Sequence, residues 1–192
     1  LMPMFMLMFD QFGSDVRSYV AYDKYVDAFN QRQAKGWLLH INNMQMALDE
    51  KTTNRYFAYI DTLSEAIATS VRTDDALFMR AVAYSVIQDL ESAVSDLSEV
   101  IRRDSTSSLA YWQRAVCMLR LNEFNASQGT NVVMKTASVM ADLTTAIKYN
   151  PDNAYLYYNR ANVLMQRKDY TDAIADYTKA IELDANLAEA YY

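Results

Sequence analysis

The amino-acid sequence predicts an all-α fold of antiparallel helix pairs stacked one on the next, and three observations carry that prediction. Gly 3 and Pro 2 in 192 residues leave few interior breakers, so helices run long. Hydrophobic residues make up 52% of the chain, enough for a core, while 22% charged residues leave a solvated surface. Small and bulky residues recur with a period of 34.

The period is read position by position. Ala81 recurs as Ala115 after 34 residues and as Ala161 after a further 46; Leu90, Phe124 and Tyr170 show the same two steps. In the second half of each unit the order reverses: Val100 leads to Ala146 after 46 and to Ala180 after 34, and Ile101, Ile147 and Ile181 agree. This places three units at 74–107, 108–153 and 154–187, with 12 extra residues inside the middle one at 125–136. The insert has loop composition at its start and is expected to end by lengthening the helix after it. Segment 53–71, with Leu63, Ala66 and Ile67, has second-helix spacing and is expected to pack on the first full unit. Residues 1–50 do not fit the period. There Ser14 and Asp15 start a helix striped by Val16, Tyr19, Val26 and Phe29 as far as about Ala34, with Gly36 as its stop. Segments 1–9 and 37–42 read as short flanking strands.

The last unit carries a resemblance. Its Tyr157, Ala161, Tyr170, Ala173, Tyr177 and Ala180, preceded by Pro151, match the small-and-aromatic pattern of the tetratricopeptide-repeat (TPR) family. The chain as a whole resembles TPR-containing proteins of bacteria. The resemblance covers residues 74–192, where Ala188 to Tyr192 read as the opening of a fourth unit. It implies a TPR-type solenoid, a right-handed superhelix of helix pairs, behind a small amino-terminal α or α+β extension. The domains so expected are an extension at 1–50 and an array at 51–192. The chain starts at Leu1 and stops at Tyr192 without an ending signal, and is expected to continue and complete that fourth unit.

In this family the first helix of each pair lines a concave face. Phe78, Trp112 and Tyr158 stand one step beyond Leu77, Tyr111 and Tyr157 and are expected to point into it. Val82, Val116 and Asn162 come one turn later, then Val86, Arg120 and Gln166. Phe78, Val82, Trp112, Val116, Arg120, Tyr155, Tyr158, Asn162 and Gln166 are therefore the candidate partner-binding residues, because aromatics and Arg anchor interfaces. The partner expected is an extended peptide or an amphipathic helix of another protein. The alternatives are a spacer whose face is filled by residues 1–12 or by a second copy of the chain, and a regulatory module of a larger enzyme. One TPR subgroup grips terminal carboxylates with Lys, Asn and Arg. Asn159 matches that clamp's asparagine, but Trp112, Val116 and Glu189 replace others of its residues, so the resemblance does not extend to that ligand.

Arg80, Arg114 and Arg160 recur before each small Ala, and Asp96, Asp142 and Asp176 recur on the second helices. Arg–Asp pairs orienting the helices are expected, each contributing about 0–1 kcal/mol if exposed. A row of anion-binding arginines is the alternative.

Chemistry is sparse. His40 is the sole histidine and three scattered glycines build no phosphate loop. Cys117, the lone cysteine, forms no internal disulfide and reads as a packed thiol. No enzyme activity, cofactor or metal is expected. Net charge of -6 argues against nucleic acid, and the apolar run at 1–9 is short of the roughly 20 residues that span a bilayer. The sequence points to no particular compartment.

Overall fold

The computed structural model describes residues 50–70, 73–127, 136–185 and 187. Seven α-helices lie among them. The helix expected at 14–34, the strands expected at 1–9 and 37–42, His40, and the unit opening at 188 lie outside the described residues. The chain divides into two compact units after Ser105.

The first unit contains α1 (Glu50–Ala68), α2 (Thr73–Val86) and α3 (Leu90–Arg103). Helix α1 is the second-helix-like segment expected before the first full repeat, and it packs on α2 with Leu63 and Ala66 buried. Asp74 and Asp75 sit in the first turn of α2, where they complement the positive end of the helix dipole. Asp89 caps α3, its carboxylate accepting from the Ser92 N–H at 3.2 Å. Ala81 and Ala93 have no exposed surface, as helices that approach closely require. Phe78, Met79 and Leu97 fill the space around them.

The second unit contains α4 (Ser108–Ser127), α5 (Thr136–Tyr149), α6 (Ala154–Gln166) and α7 (Tyr170–Leu183). The same small positions close on one another here: Ala115, Val139, Ala146, Ala161, Ala173 and Ala180 are fully buried. Asn153 caps α6 by accepting from the Tyr155 N–H at 3.0 Å.

Three-residue links reverse the chain after α2 and after α6, by the same device. The Asp89 N–H donates to the Tyr84 carbonyl and the Asp169 N–H to the Leu164 carbonyl, each at 2.9 Å. This is the closure of a Schellman motif, which needs one residue in the left-handed region. Gln88 (φ 67°) and Lys168 (φ 66°) take that conformation, where glycine would carry no Cβ penalty.

The described part of the helix after the insert, α5, has 14 residues, as α3 has, and starts in matching register; residues 128–135, on which the expected lengthening falls, lie outside the described residues. The helix before the insert is longer than its counterpart: α4 runs for 20 residues against 14 in α2. Leu119 to Phe124 contains no Gly or Pro, and nothing in that stretch stops propagation. Phe124 is consequently not the counterpart of Leu90. It projects from the α4 extension with 58% of its surface exposed, whereas Leu90 is buried at the start of α3. Thr136 holds the Leu90 position in α5.

Candidate partner-binding face

The predicted residues fall into a buried layer and a surface layer. On α2, Phe78 and Val82 are buried. On α4, Trp112 and Val116 are buried and Arg120 is half-buried. On α6, Tyr155 is buried, Tyr158 and Asn162 are half-buried, and Gln166 is exposed. The aromatic floor expected to face a ligand at Phe78 and Trp112 is thus closed to solvent, because these rings supply the largest fully buried side chains of their helices. Accessible surface in the predicted set lies on Arg120, Tyr158, Asn162 and Gln166.

Helix α6 orders this surface. Tyr158, Asn162 and Gln166 are spaced by four residues and share one side of the helix. Tyr177 of α7 donates its hydroxyl to Asn162 Oδ1 at 2.6 Å, and its ring lies 6.0 Å from that of Tyr158. Partial burial pushes the Tyr177 phenol upward, reinforced by Tyr158. It stays a neutral donor at ordinary pH. Asn159, the residue resembling the carboxylate clamp, donates Nδ2 to the Tyr155 carbonyl at 2.6 Å and is buried.

The recurrent arginines are tied within their own helix pairs. Arg80 meets Asp96 at 2.7 Å twice, Arg114 meets Asp142 at 2.7 Å twice, and Arg160 meets Asp176 at 2.6 and 2.8 Å. Each guanidinium is held charged above its ordinary value, first by the hydrogen bond to its Asp. Arg80 and Arg160 also reach a third helix: Arg80 Nη1 donates to Ser64 Oγ at 3.0 Å, and Arg160 Nη1 to Thr144 Oγ1 at 3.4 Å. This geometry supports pairing over a row of anion-binding arginines. Sequence reasoning missed the hydroxyls, although Ser64, Arg80 and Asp96 are spaced by 16 residues, as are Thr144, Arg160 and Asp176.

Cys117 is fully buried, and desolvation pushes its thiol up to about 12. A thiol so held is a poor nucleophile. Among the described residues no group of three His, Cys, Asp or Glu is placed to hold a metal ion, and no helix is long and apolar enough to cross a membrane.

Helix pairs stitched by the same Arg–Asp ion pair, two of them closed by the same turn, define a helical-repeat protein. Tetratricopeptide-repeat patterns match residues 75–107 and 154–187. The chain is 31% identical over 102 residues to Superkiller complex protein 3 of Mus musculus, a match covering 53% of this chain and 6% of that protein's length. Among solved structures it resembles MamA, with a TM-score of 0.62 at 19% identity over 76% of this chain and 81% of that one. It also resembles YrrB, described as a TPR protein with an unusual peptide-binding site, with a TM-score of 0.56 at 14% identity over 97% and 95% of the two chains. These structural likenesses establish the fold. The chain is a tetratricopeptide-repeat protein.

Proposed function

We propose that the protein is a non-catalytic interaction scaffold that holds a peptide or helix of another protein against the first helices of its repeats. The observation that carries this reading is the α6 stripe of Tyr158, Asn162 and Gln166, polar and aromatic groups left accessible above the buried Tyr155. Buried neighbours fix the backbone while the stripe remains available, which is what a preorganised binding face requires. Phe78, Val82, Trp112 and Val116 act as the apolar layer that holds α2 and α4 in shape, and Arg120 adds a cation to the α4 surface. The peptide-binding description of YrrB agrees with this reading.

Photo-crosslinking tests it. A photoreactive phenylalanine analogue replacing Gln166 is expected to trap a partner from extract of the source organism, and the same analogue replacing the exposed Thr178 of α7 is not. Equal trapping from both positions would remove α6 as the binding face. A structural spacer is the second reading, favoured by the full burial of Phe78 and Trp112, which leaves the expected aromatic floor nothing to offer a ligand.

A further inference from the structure

We propose that the apolar run at residues 1–9 of this chain lies along α2 and closes that helix to partners. The contact is autoinhibitory for α2, since a partner reaches Phe78 and Val82 only by displacing the run.

Successive residues of a helix turn by about 100°, so four in a row face every quarter around its axis. Ala76, Leu77, Phe78 and Met79 are all buried, and Val82 and Val86 continue the Phe78 side. Helix α2 is enclosed all round. Within its unit, among the described residues, it packs on α1 and α3. Helix α6 has the equivalent neighbours, α5 and α7, yet the positions matching Phe78, Val82 and Val86 stay open there. Tyr158 and Asn162 are half-buried and Gln166 is exposed. Two flanking helices therefore leave one side of a first helix uncovered, and on α2 that side has a further cover.

Composition points to the cover. Phe78, Val82 and Val86 make a wholly apolar side where α6 carries a phenol and two carboxamides. Residues 1–49 belong to the same compact unit as α2. Their longest run without a polar side chain is 1–9, which is Leu, Met and Phe apart from Pro3. Unbranched methionines fill irregular apolar gaps, and burying the run against α2 removes two apolar surfaces from water together. Extended, such a run reaches about 30 Å, more than the roughly 12 Å of helix axis between Phe78 and Val86. Residues 10–49 tether it to α1 and keep its local concentration high.

A photoreactive phenylalanine analogue replacing Phe5 in the otherwise unaltered chain tests this. Its crosslink is expected within residues 73–86 of the same molecule, read by mass spectrometry of the monomer. No crosslink to that helix, or one joining two molecules, would overturn the inference. The second measurement is thiol labelling of Val82→Cys, with the buried Cys117 as internal reference. Removing residues 1–9, in a shortened chain shown by circular dichroism to stay folded, should speed labelling of the introduced thiol about tenfold or more and leave Cys117 protected. Unchanged protection of the introduced thiol would equally overturn it. Neither readout involves a partner of α6, so failure here leaves the scaffold reading standing.

Discussion

Arg114 and Asp142 form a two-point ion pair across the α4–α5 helix pair, Nε and Nη2 each 2.7 Å from a carboxylate oxygen, although 28 residues separate them where 16 separate Arg80 from Asp96. The insert lengthens the connection and leaves the register of the two helices intact. Asp142 is the more enclosed partner, its side chain only 6% exposed. Arg114→Ala therefore strands a carboxylate that has little access to water. The expected loss of stability is about 2–4 kcal/mol in urea unfolding. Arg114→Lys restores only part of it, since an ammonium does not reproduce the two-point fork. The exposed Arg102–Glu99 pair is the comparison, and Arg102→Ala should leave the unfolding midpoint where it is.

Cys117 predicts a loss of stability in alkali. Its thiol is raised from 9.0 to about 12 by burial, so the folded chain holds that proton more tightly than the unfolded chain does. The stabilisation is fully present below the unfolded value and is lost as pH rises through the folded one. Tyr56, also raised chiefly by burial, acts in the same direction. Urea midpoints measured from about pH 8 to 11 should fall with pH, and fall less steeply in Cys117→Ala. The native thiol should resist a disulfide reagent that labels it promptly after unfolding.

The two tight links carry a removable strain. Gln88 and Lys168 both stand at positive φ without being glycine. Gln88→Gly and Lys168→Gly are each expected to raise stability by about 0.5–1 kcal/mol, the left-handed penalty slightly exceeding the added freedom of the unfolded chain. An unchanged or lowered thermal midpoint in both would count against the turn closure described.

Phe124 and Leu90 test the register directly. Leu90→Ala empties a buried site at the start of α3 and should cost about 2–4 kcal/mol. Phe124→Ala, on the α4 extension, should stay within about 0.5 kcal/mol.

Repeat period and ion pairs were legible in the sequence because each imposes the same residue type at a fixed spacing. Ala81, Ala115 and Ala161 are the same in kind for a steric reason, and the arginines beside them recur because each meets an Asp on the paired helix. The insert was harder to place. Phe124 falls at the right distance from Leu90, and an aromatic there satisfies the pattern, but spacing alone does not tell a helix that stops from one that continues. The absence of a breaker from Leu119 to Phe124 was the available signal. Which of the candidate residues are exposed was not legible in the sequence. Phe78 and Trp112 stand one residue from Leu77 and Tyr111, and a step of one on a helix does not decide which large side chain is buried. Tyr177 could not be paired with Asn162 before the α6–α7 packing was known.

The central claim is that the accessible stripe of α6 binds another protein. It is tested most directly by quantitative pull-down from extract of the source organism, with the protein beside a Tyr158→Ala, Asn162→Ala, Gln166→Ala variant shown to be folded. Partners recovered by the unaltered protein and lost from the variant are the predicted result. Equal recovery on both would contradict the claim.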